Sequence, residues 1–318
     1  MKKKCILIFS LSILSLFLVT TIVVTNQRKN SEHLIFGATY MTMNNPYFTA
    51  LNDSIKEVVE SNGDTLITRD PLQDQDKQNQ QIKAMIKEGM DVLFLNPVDW
   101  KDVRSVVKLC ESHNIPVFAV DTNIYDTKDM EAVISTIASD NYNAGVQCAK
   151  DMKSKTDSAD IVIINHTDIN STNLRVEGFR DTLEGNPNYK VVEYRDSTTE
   201  LEVAMSEMED IIHEGKKFDV VLGGNDPTAL GCLAAMQKLG YEEPVLIYGI
   251  DGSPDAKAML KAGYMEGTCA QSPNQIGTVA AETAYKYLGG QKVDSNIMIP
   301  VNLITKENLK NYDLTEWQ

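Results

Sequence analysis

The sequence predicts an α/β protein built from two doubly wound parallel sheets. Short runs rich in β-branched and other apolar residues recur along the chain, which is typical of parallel strands covered on both faces. The segments between them carry apolar residues at helical spacing, so the pattern indicates repeated βα units. The sequence predicts ten strands, which is too many for one ordinary sheet. We therefore expect two sheets of about five strands each. The length of 318 residues also suits two domains of about 150 residues.

The individual elements follow from the same two patterns. The clearest helical spacing covers residues 47–60, 77–87 and 201–213, where apolar positions repeat every three or four residues. Each predicted strand is a short apolar run bounded by polar or turn residues. In chain order the predicted strands are 34–41, 64–68, 91–95, 117–121, 133–138, 161–165, 190–194, 219–223, 245–251 and 267–271.

Residues 1–33 differ from the rest of the chain. Residues 5–24 are 20 consecutive uncharged positions that follow three lysines, the pattern of a secretory signal or a signal anchor. A helix of that length reaches about 30 Å, enough to cross a bilayer, and no small-residue cleavage site follows it. We therefore expect an N-terminal membrane helix that is not cleaved, with a removed signal peptide as the alternative. Residues 34–318 are then extracellular, at the cell membrane.

Composition excludes several function classes. The formal net charge is −15, and residues 1–33 hold five of the basic residues against one acid, so the remaining body is more acidic still. Such a body repels phosphates, which argues against nucleic-acid binding. No nucleophile elbow, phosphate-binding loop or dinucleotide fingerprint is present, and the four histidines are scattered. We expect a protein that is not an enzyme and has neither cofactor nor metal site.

Four cysteines follow Cys5, and none forms a C-x-x-C pair. Each lies among apolar neighbours, which indicates small buried thiols. One disulfide is the alternative outside the cell. The four residues are Cys110, Cys148, Cys232 and Cys269.

Polar residues follow the predicted strands at the edge where doubly wound sheets bind ligands. One such end alone is typical of a helix N-cap. Several of them, combining carboxylates, amides and aromatic rings, favour a site for a polyhydroxylated ligand. Carboxylates accept hydroxyl donors, amides both donate and accept, and rings cover apolar sugar faces. These strand ends are residues 43–48, 121–123, 165–167, 224–227, 251–254 and 271–273.

The chain also resembles the type I periplasmic sugar-binding protein family, ribose-binding proteins in particular. The segments that carry the resemblance are NNPYF (44–48), IASDN (137–141), GNDPTALG (224–231), GIDGSPD (249–255) and AQSPNQIG (270–277). The resemblance covers about residues 34–305. It implies two α/β lobes joined by a three-crossover hinge that close on a sugar. By the family pattern the N-terminal lobe holds 34–136 plus 272–302, and the C-terminal lobe holds 137–271 plus 303–318.

The resemblance also implies a set of ligand-binding residues. Asp121 and Asp251 are expected to bond adjacent hydroxyl groups in pairs. Tyr47 or Phe48 is expected to stack on the C–H groups of the sugar. Carried over motif by motif, the implied ligand contacts are Asn45, Tyr47, Phe48, Asp121, Asn173, Asn225, Asp251 and Gln271.

Departures from the family pattern bear on which sugar is bound. Thr122 and Asn173 stand where ribose-binding proteins carry arginine, and Met41 stands where a serine is usual. The stacking aromatic residue of the second lobe falls near Thr199. We interpret Arg175 as a structural ion-pair partner on its own helix. The sugar is therefore left open among a pentose, a hexose and a sugar alcohol.

Two roles are consistent with a captured sugar. In the first, the loaded protein delivers its small-molecule sugar to an ABC permease. In the second, the chain is a membrane-anchored sugar sensor that signals through a membrane histidine kinase. Some sensor-coupled xylose-binding proteins are similar to this chain in having sugar lobes on an N-terminal membrane helix. Cys5 precedes the apolar run, so no lipid-modified cysteine is expected after it, and this favours sensing.

Overall fold

The computed structural model describes residues 33–124, 128 and 130–318, and it alternates strands with helices along the chain. The strands are β1 (Ile35–Thr39), β2 (Thr65–Arg69), β3 (Val92–Leu95), β4 (Val117–Val120), β5 (Val133–Ser139), β6 (Ala159–Asn165), β7 (Tyr189–Asp196), β8 (Val220–Gly223), β9 (Leu246–Asp251), β10 (Gly267–Ala270), β11 (Asn296–Ile299) and β12 (Asn302–Thr305). The helices are α1 (Pro46–Ser61), α2 (Gln75–Lys87), α3 (Arg104–Ser112), α4 (Asn141–Lys155), α5 (Asn170–Leu183), α6 (Leu201–His213), α7 (Asp226–Leu239), α8 (Pro254–Ala262) and α9 (Pro273–Leu288), followed by a 3₁₀ turn at Leu309–Asn311.

The strands form two six-stranded sheets, which confirms the predicted fold class of two parallel-sheet α/β lobes. The first sheet has the order β11-β5-β4-β3-β1-β2, and the second has the order β12-β10-β9-β8-β6-β7. Neighbouring strands pair in parallel, except that β12 runs antiparallel to β10. Each sheet has one strand more than expected because β11 and β12 were not predicted. Both are only four residues long and partly exposed, and their apolar runs of two or three residues are too short to stand out as strands.

The chain passes between the two sheets three times. It leaves the first sheet after β5, returns after β10 through α9, and leaves again between β11 and β12. We call β1–β5, α1–α3, α9 and β11 the first lobe, and α4–α8, β6–β10, β12 and the C-terminal residues the second lobe. The predicted boundary after residue 136 divides β5, which belongs to the first sheet as far as Ser139. The predicted lobe boundaries stay a prediction.

Helices cover both faces of each sheet, which explains the apolar strand sequences. The strands β3 and β4 are buried at every position. In the first lobe α1 and α9 pack on one face around Leu51, Ile55 and Phe94, and α2 and α3 cover the other. In the second lobe α6–α8 cover one face, and α4 and α5 cover the other. The strand ends are thereby left as the edge that is open to a ligand.

The predicted membrane helix at 5–24 lies outside the described residues. Within residues 33–124, 128 and 130–318, no helix has both the length and the apolar character needed to cross a membrane. The cysteines at 110, 148, 232 and 269 are buried free thiols, so the alternative of a disulfide among them is not realised in this structure.

Candidate functional site

A small cavity lies between the two lobes at the carboxyl ends of their strands. Its volume is about 30 Å³. We call it the central cavity. Seven of the eight predicted ligand residues line it, and the exception is Asn173. The lining residues are Met41, Asn45, Tyr47, Phe48, Asp121, Ile169, Ser171, Thr172, Arg175, Thr199, Asn225, Asp251 and Gln271.

Asp121 enters the cavity from the end of β4. Its φ is +68°, in the left-handed region that costs a non-glycine residue about 1–3 kcal/mol. The carboxylate accepts hydrogen bonds from the Tyr47 hydroxyl (2.8 Å) and from Asn96 Nδ2 (3.2 Å). Only 5% of the residue is exposed. The turn after β4 therefore aims a buried carboxylate at the second lobe.

A chain of polar contacts connects Asp121 to Asp251 across the lobe interface. The Tyr47 hydroxyl lies 2.8 Å from Asp121 Oδ1 and 3.4 Å from Gln271 Oε1. Gln271 Nε2 in turn donates to Asp251 Oδ1 (2.7 Å). Tyr47 comes from the start of α1, whereas Gln271 and Asp251 follow β10 and end β9. Two carboxyl groups from opposite lobes thus share one polar network.

Arg175 supplies the positive charge of the site. Its Nε donates to Asn141 Oδ1 (2.8 Å), and one terminal nitrogen donates to the Gly224 carbonyl (2.8 Å) and lies 3.7 Å from Asp251 Oδ1. The side chain is buried, and its ion-pair partner is Asp251 on β9 and not a residue of its own helix. The reason is that α5 packs closely against α4, so this face of the helix points into the cleft. In the sequence, Arg175 lies at helical spacing next to an apolar stripe, and this pattern does not predict that its side chain enters the cleft.

Burial raises the pKa of the carboxyl groups around the cavity. For Asp121 the effect is opposed by Arg175 and by the bonds from Tyr47 and Asn96. Burial and the neighbouring Asp226 together raise the pKa of Asp251 to about 8, against the lowering effect of Arg175. A single guanidinium therefore balances several carboxyl groups among the described residues of the site.

Asn225 and Asp226 have separate roles although they are adjacent. Asn225 caps α7 by accepting a hydrogen bond from Thr228 N (3.0 Å), and it also lines the cavity. Asp226 lies behind it and accepts bonds from Ser253 N (2.8 Å) and Thr268 Oγ1 (2.6 Å). It therefore ties the turn after β9 to β10 and holds the backbone next to Asp251.

Asn173 does not line the central cavity, and the ligand contact that the resemblance implies for it stays a prediction. Its Oδ1 accepts a bond from Asn165 Nδ2 (3.0 Å), and its own Nδ2 donates to the Thr167 carbonyl (2.8 Å). These bonds hold the amide beside the groove near Tyr194. The residues of α5 that do line the cavity are Ser171, Thr172 and Arg175, which the sequence did not single out as ligand contacts.

Stability is expected to depend on pH through Asp251. Between its ordinary pKa of 3.8 and the raised value of about 8, the folded state holds a proton that the unfolded state has released. The free energy of unfolding should therefore fall as the pH rises through that window, by at most about 1.4 kcal/mol per unit for one proton. Urea unfolding at pH 5, 6.5 and 8 measures the slope. The variant Asp251→Asn, which cannot titrate, should show a shallower slope, and equal slopes in both proteins would contradict the assignment.

Known proteins share this architecture. A family model described as periplasmic binding protein domain matches residues 36–292. The ribose import binding protein of Escherichia coli is 30% identical over 269 residues, covering 84% of this chain and 88% of that protein. The ribose import binding protein of Bacillus subtilis is 28% identical over 280 residues, covering 87% and 89%.

A solved structure extends the likeness to three dimensions. An ABC transporter solute-binding protein from Mycobacterium smegmatis, with bound glycerol, superimposes with a TM-score of 0.82 at 26% identity. The match covers 88% of this chain and 96% of that one. The relatives are substrate-binding proteins. Because the family model, the relatives and the two-lobed fold agree over most of its length, this chain belongs to the type I periplasmic sugar-binding protein family.

Proposed function

We propose that this chain captures an extracellular monosaccharide, whether a pentose, a hexose or a sugar alcohol, between its lobes and hands it to an ABC permease. The observation that carries the proposal is the pair of buried carboxyl groups of Asp121 and Asp251, which face one cavity from opposite lobes. A carboxylate accepts two hydroxyl donors side by side, and a protonated carboxyl group both donates and accepts. A ligand with several adjacent hydroxyl groups therefore bonds both lobes at once and stabilises the closed form.

Ligand entry requires the lobes to separate. The central cavity of about 30 Å³ has room for about two water molecules, whereas small-molecule pockets are usually about 300 Å³ or larger. The Tyr47 hydroxyl occupies an acceptor site of Asp121 that a sugar hydroxyl needs. Binding therefore replaces a bond within the protein by one to the ligand.

Bonds across the lobe interface define the closed form. Ser171 N donates to Thr122 Oγ1 (3.2 Å), and Gln73 Nε2 donates to Glu200 Oε1 (2.5 Å). Each pair joins one lobe to the other, so it breaks when the lobes part. A ligand that adds bonds only to the closed form shifts the equilibrium toward it.

The relatives also support the proposal of sugar capture. The Escherichia coli and Bacillus subtilis proteins are named for ribose import, and the Mycobacterium smegmatis protein holds glycerol. Thr122 lacks the charged, planar guanidinium group that arginine would supply at this position. The proposal therefore covers sugars other than ribose on equal terms with ribose.

Calorimetric titration of the full-length chain tests the proposal. We expect at least one member of a panel of pentoses, hexoses and sugar alcohols to bind with a stoichiometry of one. A panel without any binder, in a protein shown to be folded by circular dichroism, would contradict sugar capture.

A second candidate is sensing, in which the loaded chain contacts a membrane histidine kinase. The observation that favours it is the uncharged run at residues 5–24 after three lysines, which would anchor an extracellular body in the cell membrane. The two roles differ in the partner that reads the closed form. Purification of the tagged full-length chain from membranes, with and without sugar, distinguishes the two roles. Recovery of a permease supports transport, and recovery of a histidine kinase supports sensing. A membrane anchor is compatible with both roles and does not separate them.

A further inference from the structure

The C-terminal residues 312–318, which we call the tail, connect the two lobes. Tyr312 and Leu314 pack against the core of the second lobe on the α6–α8 face. Trp317, only three residues later, packs against the core of the first lobe. The tail therefore crosses the cleft, and the contact that Trp317 makes depends on how far the lobes are closed.

A buried lysine holds the tail in place. Lys257 on α8 has no exposed surface, and its ammonium group donates to the backbone carbonyls of Asp313 and Glu316. The turn is tightened further because Thr315 N (2.8 Å) and Thr315 Oγ1 (2.7 Å) both donate to Asp313 Oδ1. Such anchoring fixes the backbone immediately before Trp317 to the second lobe.

The Trp317 ring meets the polar network of the central cavity through Tyr47. The two rings are edge to face, with centroids 5.7 Å apart and planes at 81°. Tyr47 is the residue whose hydroxyl bonds Asp121. The aromatic residues that line the central cavity, Tyr47 and Phe48, both come from α1 in the first lobe. Trp317 is thus an aromatic ring, held by the second lobe, that contacts a residue lining the central cavity.

A second cavity of about 180 Å³ lies beside Trp317, and we call it the mouth cavity. The mouth cavity shares part of its lining with the central cavity, because Asn45 and Asp251 line both. Its other walls are mostly apolar and include Trp317, Pro46, Leu201 and Leu230, with Ser253 and the exposed Asp255 as polar members. A group that projects from a sugar bonded to Asp251 into this space meets an indole ring and aliphatic side chains.

We propose that Trp317 is a specificity-determining residue and that the mouth cavity is a subsite for an apolar group on the sugar, such as a deoxy carbon or an O-methyl group. The inference rests on the proposed function, since it concerns the sugar held by Asp121 and Asp251. A hydroxymethyl or free hydroxyl group placed against the side of the cavity formed by Trp317, Leu201 and Leu230 leaves its polar atoms without partners there, which costs affinity. The chain therefore discriminates between sugars that differ only at this position.

Matched sugar pairs test the subsite by calorimetry on the full-length chain. The pairs are D-galactose with D-fucose, its 6-deoxy form, and D-xylose with methyl β-D-xyloside. We expect the wild type to prefer the deoxy or methyl member, and Trp317→Ala to lower affinity for that member about tenfold more than for its partner. Trp317→Phe should retain most of the preference. The control is Tyr264→Ala, which removes an aromatic residue that is 54% exposed and lines neither cavity.

The possible results separate the two proposals. Sugar binding with the same preference in the wild type and in Trp317→Ala overturns the subsite and leaves sugar capture intact. A folded wild type that binds no sugar overturns sugar capture, and it overturns the proposed subsite as well.

Fluorescence without any sugar gives an independent check. The chain has two tryptophans, so Trp100→Phe leaves Trp317 as the reporter. We expect Trp317 to be shielded from acrylamide and to become accessible when Lys257→Met removes the ammonium group that holds the tail. If acrylamide quenches Trp317 as fast as it quenches free tryptophan, the inference is overturned independently of the sugar-binding results.

Discussion

Replacing Asp121 by Ala is expected to weaken binding of the captured sugar by at least about 100-fold. Hydrogen bonds to a charged group contribute about 1.5–3 kcal/mol each, and loss of two of them corresponds to two or more powers of ten in the dissociation constant. The left-handed backbone at Asp121 holds this carboxylate at the central cavity, where it accepts bonds from Tyr47 and Asn96. Calorimetry with the sugar that the wild type binds measures the effect.

The control for this prediction is Asp168→Ala, which removes an exposed carboxylate that also follows a strand but does not line the central cavity. It should bind like the wild type. Asp121→Asn preserves the shape and one acceptor oxygen, so an intermediate loss is expected. Thermal unfolding of each variant separates a binding defect from a folding defect. Wild-type affinity in a folded Asp121→Ala protein would show that the sugar binds elsewhere.

The second large effect is expected from Gly145→Ala on α4. A Cβ at this position would lie 1.8 Å from the Arg175 carbonyl oxygen and 2.7 Å from Phe179 N, both backbone atoms of α5. The two helices must move apart to admit one methyl group, so we expect the free energy of unfolding to fall by about 3 kcal/mol or more. Urea unfolding measures this loss.

Gly289→Ala is the matched control, because its φ is −74° and a Cβ there meets nothing closer than 3.4 Å. Its stability should stay within about 0.5 kcal/mol of the wild type. Since the clash at Gly145 is with Arg175 itself, Gly145→Ala should also weaken sugar binding in the fraction that folds. A fully stable Gly145→Ala protein would contradict the close packing of α4 on α5.

Local pattern was sufficient to predict most of the fold. The inner strands of both sheets are apolar because helices cover both sheet faces, and that requirement shows directly in composition. The last two strands were missed for the opposite reason: β11 and β12 lie at sheet edges, are four residues long and are partly exposed. The edge strand β7 was predicted because its run Val191-Val192 is β-branched although exposed.

The site was harder to predict where tertiary packing decides which face of a helix is buried. Asn45, Asp121, Asp251 and Gln271 follow strands, so their position is dictated by sheet geometry. Asn173 and Arg175 lie two residues apart on α5, and only the close contact of α5 with α4 decides which of them enters the cleft.

Trp317 was missed for a different reason. It reaches the first lobe through a tail whose course depends on Lys257, a residue 60 positions earlier in the chain. No local pattern in the tail reveals a contact of this kind.

The threefold passage of the chain between its sheets has a consequence for how the protein is made. The first lobe needs α9 to cover α1, and β11 to complete its sheet, and both come from the last fifth of the chain. A nascent chain therefore cannot finish its first lobe until synthesis is almost complete. Such long-range pairing slows folding, so the first lobe is completed only after most of the second lobe has been made.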